Sequence, residues 1–388
     1  MKSDRVFSSI YELLMEIGIG DTYINSFQGS KVVNGARMRA MTELLNTLSG
    51  SYSDDSESRK LVVGNALFSI GNYEAAAELY GAIAEASPTN WESRFNLALC
   101  MGRMQKPKMA LTVFDELSIV LPSFCEIYYQ RAKLYDDVGE SEQALENYEA
   151  TLDLDPGHVR AKFNMGLLLA KMERHGEAVE QFSQVLFLRP RLANAYLNRG
   201  VSREELGDYD LAIEDYTMAL EIDDANENAI FNRARINYQQ GRLAAAKSDY
   251  TEFLRLAPND SEAYNNRGLV YDALGDEKAA LRDYDKALEI SPQFGDALNN
   301  KGAVLESTGN LKGALSLYLE AIESRPDYST AYFNAAKIYL AQMELVLAED
   351  YLTKAIGLNR DYLMEALEDE ELGWLMDVQG VKYRMDQR

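Results

Sequence analysis

Residues 261–294 read SEAYNNRGLVYDALGDEKAALRDYDKALEISPQF, and the spacing within this stretch decides the fold. Tyr264, Gly268 and Tyr271 recur at helical spacing in the first half, as do Ala280, Tyr284 and Ala287 in the second. Gly275 stands between the halves, where one helix must end and a tight turn begin. Pro292 closes the stretch, because a residue that lacks an N–H and clashes with the preceding turn does not continue a helix. Gly268 and Ala280 are small enough to let two backbones approach, with the aromatics filling the space beside them. The stretch predicts two helices joined by a turn and packed against each other.

The same unit recurs in both directions with a period of 34 residues. Proline marks it at Pro88, Pro122, Pro156, Pro190, Pro258, Pro292 and Pro326, and Asp224 holds the register where a proline is missing. Alanine keeps the period at Ala76, Ala110, Ala144, Ala178, Ala212, Ala246, Ala280, Ala314 and Ala348. An aromatic does so at Tyr80, Phe114, Tyr148, Phe182, Tyr216, Tyr250, Tyr284 and Tyr318. Self-similarity on this scale means stacked supersecondary units, each burying its apolar face on its neighbours. The register gives nine units: 57–90, 91–124, 125–158, 159–192, 193–226, 227–260, 261–294, 295–328 and 329–362.

This pattern resembles the tetratricopeptide repeat (TPR) family. Within a unit, the family places a bulky residue at 4, a small one at 8, an aromatic at 11 and glycine at 15. Alanine at 20, an aromatic at 24, alanine at 27 and proline at 32 complete the signature. Residues 125–158 match it with Tyr128, Ala132, Tyr135, Gly139, Ala144, Tyr148 and Pro156. In the last unit Met343 replaces the glycine, Leu352 the aromatic and Arg360 the proline, as suits a terminal unit where stacking stops. The resemblance implies an all-α solenoid, a right-handed superhelix of helix-turn-helix repeats with helical caps.

Residues 1–56 lie outside the register. Stretches 5–17 and 37–48 are amphipathic, and they are expected to cap the first repeat or, alternatively, to bridge subunits of a homo-oligomer. Segment 49–58, SGSYSDDSES, reads as a loop or a run of helix N-caps. From 363 to 388 the expectation is a capping segment, with Leu367, Leu372, Trp374 and Leu375 on a helix that covers the last repeat. Bacterial TPR arrays often end on similar acidic segments.

Composition fits a soluble, folded and mostly helical chain, with 47% hydrophobic residues, eight prolines and 25 glycines. No apolar run reaches bilayer length, and the N-terminal stretch carries acids inside its apolar places, so a cytoplasmic protein without a membrane role is expected. A net charge of −23 argues against nucleic acid, which demands clustered Lys and Arg. Cys100 and Cys125 form no CxxC pair and read as small hydrophobes. His158 and His175 fall at turns. HExxH, GxxxxGK[ST], GxSxG and a strand-linked GxGxxG are all absent, so no catalytic residue, metal site or cofactor is assigned and the chain is not read as an enzyme.

A surface remains, and one register of it stands out. Place 6 of the unit holds Asn96, Asn164, Asn198, Asn232, Asn266, Asn300 and Asn334, with Gln130 keeping the carboxamide in the third unit. Asparagine is an indifferent helix former, so helix propensity does not explain the ladder. In the TPR fold, place 6 faces the concave groove. A carboxamide offers both a donor and an acceptor, the pair a peptide bond needs. The ladder is similar to the asparagine ladder that lines the TPR groove of O-GlcNAc transferase, with no glycosyltransferase domain expected here. Phe95, Tyr129, Phe163 and Phe231 at place 5 either add an aromatic platform to the groove or pack between repeats. On this reading, removing the carboxamides of Asn198, Asn232 and Asn266 is expected to weaken binding and leave folding intact.

Place 7 carries Arg131, Arg199, Arg233, Arg267 and Lys301, and three of the arginines precede an aspartate by sixteen residues: Asp215, Asp249 and Asp283. These read as structural ion pairs between the two helices of a repeat. The cation set of the Hsp70/Hsp90 carboxylate clamp is missing, since place 6 holds no cation and Lys133, Arg235 and Lys337 at place 9 do not rebuild it. The expected function is a protein-interaction scaffold or adaptor that holds an extended protein or peptide partner. The alternatives are a self-assembling scaffold acting through residues 1–56 and the convex face, or a regulatory subunit of a separate enzyme.

Overall fold

The computed structural model describes residues 56–69 and 71–379. Its helices, in chain order, are α1 (Ser56–Ser69), α2 (Tyr73–Ala86), α3 (Trp91–Arg103), α4 (Pro107–Val120), α5 (Cys125–Asp137), α6 (Ser141–Leu154) and α7 (Val159–Lys171). They continue with α8 (His175–Leu188), α9 (Ala193–Glu205), α10 (Tyr209–Ile222), α11 (Glu227–Gln239), α12 (Leu243–Leu256), α13 (Ser261–Ala273) and α14 (Glu277–Ile290). The remainder are α15 (Gly295–Ser307), α16 (Leu311–Ser324), α17 (Ser329–Ala341), α18 (Leu345–Leu358), α19 (Asp361–Glu368) and α20 (Glu370–Gln379). Among the described residues there is no strand. The chain divides into two compact bodies, Met1–Ala161 and Lys162–Arg388. The readings of residues 1–55 and 380–388 lie outside the described residues.

Odd- and even-numbered helices alternate as the first and second helices of the repeat, and the turn between them follows from place 15. All nine residues at that place have positive φ: Gly71, Gly139, Gly207, Gly241, Gly275 and Gly309, but also Gln105, Glu173 and Met343. The left-handed turn therefore persists where glycine is lost, at the steric cost that a Cβ imposes there. Where the chain re-enters a helix, short polar side chains cap it. Asp260 accepts from the Ala263 N–H at the start of α13, and Asp276 does the same from Ala279 at the start of α14.

Packing within a repeat turns on the pairing of place 8 with place 24. The rings at place 24, from Tyr80 to Tyr318, are all buried. Each glycine at place 8 lies directly beneath its ring. A Cβ on Gly268 would stand 2.6 Å from Cε1 of Tyr284, and one on Gly200 would stand 2.7 Å from Cε1 of Tyr216. Ala98, Ala132, Ala234 and Ala336 occupy the same place in other units and are fully buried. The helix pair is thus close enough that one methyl group sets its spacing.

In the second body the arginines at place 7 tie three helices together. Arg233 on α11 donates to both Asp249 oxygens on α12, at 2.7 and 3.0 Å, and to Thr217 Oγ1 on α10 at 3.0 Å. Arg199 makes the equivalent set with Asp215 and Ser183, and Arg267 with Asp283 and Thr251. Arg203 adds a second cation to Asp215, whose side chain is 2% exposed. The pairing expected within the repeat is present, and each arginine also reaches the preceding repeat. Arg131 and Lys301 have no aspartate sixteen residues on and turn back instead to Asp115 and Asp285.

After the last repeat, Leu372 and Leu375 of α20 are buried in one cluster with Leu340, Leu352 and Ala355 of α17 and α18. Leu367 and Trp374, expected on the covering face, are exposed instead. Helical phase explains the difference: Leu372 and Leu375 are three residues apart and share a face, whereas Trp374 is offset from both.

Two substitutions test this packing. Gly268→Ala forces its new methyl against Tyr284 and should cost about 1–3 kcal/mol in denaturant unfolding. Arg233→Ala leaves the buried Asp249 without its cation. It should cost about 1–3 kcal/mol, with a lower melting temperature than wild type in differential scanning calorimetry.

Candidate functional site

Within the second body the first helices lie side by side, α9 against α11, α11 against α13, α13 against α15 and α15 against α17. Their exposed side forms one continuous layer, and place 6 falls on it. Asn164, Asn198, Asn232, Asn266, Asn300 and Asn334 are all half-buried there, as are Asn96 and Gln130 in the first body.

Most of these carboxamides have partners inside the protein. Asn232 lies near the hydroxyl of Tyr216, and Asn266 near that of Tyr250, each easing the rise that burial imposes on the tyrosine's pKa, so each faces the ring at place 24 of the preceding repeat. Tyr216 also donates to Glu204 Oε2 at 3.0 Å. Asn164 has a partner within the fold as well. Asn198 differs, because its amide donates to the Asn194 carbonyl of its own helix at 2.7 Å. In the first body Asn96 and Tyr80 share the carboxamide oxygen of Asn65. Gln130 donates to Glu126 at 2.7 Å.

Glu126 gathers more than Gln130. His158 Nε2 lies 3.4 Å from its carboxylate and Arg160 3.2 Å. Burial works against the charge on Glu126, yet the hydrogen bonds from His158 and Gln130 and the charge of Arg160 hold its pKa below the ordinary value. His158 Nδ1 accepts the Ala161 N–H at 3.1 Å, which leaves Nε2 to carry the proton toward Glu126. The histidine read as a turn residue is therefore a helix cap whose ring also meets Tyr129 at a tilt, with centroids 4.8 Å apart.

The place-5 aromatics belong to the core. Phe95 and Tyr129 are buried, and Phe163 and Phe231 half-buried. Each meets the place-24 ring of its own repeat: Phe95 with Phe114 at 5.4 Å, Tyr129 with Tyr148 at 6.2 Å, Phe163 with Phe182 at 5.6 Å and Phe231 with Tyr250 at 5.7 Å. Of the two readings of these residues, packing describes where they lie.

The layer changes character where place 5 is also asparagine. Asn334 donates to Asn299 at 3.1 Å, Asn299 to Asn300 at 3.5 Å, Asn300 to Asn265 at 3.0 Å and Asn265 to Asn266 at 3.3 Å. Five carboxamides thus form one relay across α13, α15 and α17, from Asn334 to Asn266. The Tyr284 hydroxyl is buried without a partner. A cleft of about 420 Å³ opens beside the relay, lined by Glu262, Asn265, Asn266, Leu269, Phe294, Asp296 and Asn300. Each relay carboxamide has two N–H donors and two acceptor positions, so those of Asn265 and Asn300 retain capacity toward a ligand. Place 6 alone pointed to half of this site. The Asn-Asn doublets at 265–266 and 299–300 were the signal for the rest.

Elsewhere the chemistry is quiet. Burial pushes the Cys100 thiol up to about 12, so it stays protonated at neutral pH. Among the described residues, no group of three His, Cys, Asp or Glu is placed to hold a metal ion. No described helix is long and apolar enough to cross a membrane.

Family models described as tetratricopeptide repeat match residues 193–226 and 261–294, residues 227–260, and residues 63–103, 129–186, 278–329 and 299–362. The serine/threonine-protein phosphatase T of Trypanosoma brucei brucei is 35% identical over 101 residues, which are 26% of this chain and 21% of that protein. The tetratricopeptide repeat and J domain-containing co-chaperone DNJ1 of Cryptococcus neoformans var. grubii is 32% identical over 80 residues, 21% of this chain and 15% of that protein. The chain thus spans about a fifth or less of these relatives. Among solved structures, YrrB, a TPR protein with an unusual peptide-binding site, matches at 24% identity and a TM-score of 0.39, over 48% of this chain and 95% of YrrB. The pilF protein of Pseudomonas aeruginosa matches at 19% identity and a TM-score of 0.47, over 54% of this chain and 97% of its own. Both likenesses concern the fold alone.

The hydrogen bonds rank the ladder residues by their structural role. Asn300→Ala and Asn334→Ala each remove a bond between carboxamides of neighbouring repeats and should cost about 1 kcal/mol. Asn198→Ala removes only a bond to its own helix and should fall within about 0.5 kcal/mol of wild type. Urea titrations of the three variants check the order.

Proposed function

Because the chain belongs to the tetratricopeptide-repeat family, we propose that it is a non-enzymatic scaffold or adaptor whose first-helix layer holds an extended segment of a protein partner. One observation carries the reading: carboxamides recur on that layer at a single place in the repeat, and beside the Asn-Asn doublets they line an open cleft. An extended main chain presents alternating donors and acceptors, and a row of carboxamides meets both without reading sequence. The cleft volume falls within the range of about 300–1,000 Å³ common to ligand sites. Supporting a polypeptide partner over nucleic acid is the net charge of −23, which repels a phosphate backbone.

Capture from native extract tests the face involved. Asn198→Ala/Asn300→Ala alters the layer, whereas Ile119→Ser/Phe187→Ser alters two side chains that are 81% and 86% exposed. Both variants are first matched to wild type in helical content by circular dichroism. The reading expects the asparagine variant to lose a partner that wild type and the serine variant retain. Loss in the serine variant alone would move the interaction to exposed side chains of the second helices.

A further inference from the structure

The cleft between α13 and α15 carries acidic charge, and a role for that charge rests on the reading of the layer as a peptide-binding face. Two carboxylates stand at its edge, Glu262 on α13 and Asp296 on α15. They are not equivalent. Asp296 is bound to Arg325 at 2.9 Å. Glu262 is exposed and pairs with no cation among the described residues. Arg235, whose charge also acts on Tyr250, is already bound to Glu204.

We propose that the cleft selects a lysine or arginine side chain of the bound segment, with Glu262 taking the cation while Asn265 and Asn300 hold the main chain beside it. The lining suits both parts of such a side chain. Leu269 and Phe294 offer apolar wall to the methylene stem, and the carboxylate meets the charged head at the solvent edge. The surplus of acidic residues raises the local concentration of cationic segments before contact.

Fluorescein-labelled octapeptides of alanine and serine with one central lysine, N-acetyl-lysine or glutamate test this on the full chain by fluorescence anisotropy. The lysine peptide should bind about fivefold more tightly than the acetyl-lysine peptide, and added salt should narrow the gap. Glu262→Gln, a surface change, should abolish the difference, while Asn300→Ala should weaken all peptides and keep the lysine preference. Equal binding of the lysine and acetyl-lysine peptides, or a preference that survives Glu262→Gln, would overturn the assignment of Glu262. So would loss of the preference in Asp296→Asn alone. Failure of every peptide to bind would instead remove the peptide-binding reading of the layer, and the inference with it.

Discussion

The closest approach on which this structure depends is that of a small residue at place 8 to an aromatic ring at place 24. It fixes the distance between the two helices of a repeat, and through the ring it also fixes the next repeat. Tyr216 and Tyr250 lie against Gly200 and Ala234 in their own repeats, with their hydroxyls near Asn232 and Asn266 in the following ones. The arginines at place 7 repeat the same logic in ionic form, bridging an aspartate within the repeat and a hydroxyl in the repeat before. A solenoid has little else to hold it, since each unit touches only its neighbours. The polar residues of the layer are therefore part of the coupling between units as well as the surface those units present.

That double role explains why the layer is not uniform. Where place 5 is aromatic, the ring enters the core, as at Phe95, Tyr129 and Phe333. At Asn265 and Asn299 no ring enters from place 5, and the carboxamides bond one another. The cleft lies against this stretch of the layer. A row of carboxamides that satisfy each other is held in place before any ligand arrives, which lowers the ordering cost of binding.

Much of this was legible in the sequence. The 34-residue period and the alternation of small and aromatic places specify the helix pairs, because backbone approach and ring burial permit few other residues. The turn at place 15 was legible from its glycines, though Gln105, Glu173 and Met343 adopt the same backbone without that signal. Less could be read at the site. The hydrogen bond from Asn300 to Asn265 spans two repeats, and nothing in the spacing alone distinguishes it from the self-contained bond of Asn198. Phe95 and Tyr129 share a helix with the carboxamides, yet their side chains turn into the core. The difference between Glu262 and Asp296 depends on Arg325, which comes from the far end of the repeat to neutralise only one of them.

The central claim, that the carboxamide layer is where a partner is held, is tested most directly by the asparagine side chains themselves. In protein labelled with nitrogen-15 at asparagine, the NH₂ resonances report each carboxamide separately. On adding the captured partner segment, the account predicts shifts for Asn265, Asn266 and Asn300. It predicts none for Asn147, whose amide is bonded to the Gln143 carbonyl on a second helix of the first body. Saturable binding that leaves the Asn265, Asn266 and Asn300 resonances unmoved would contradict it.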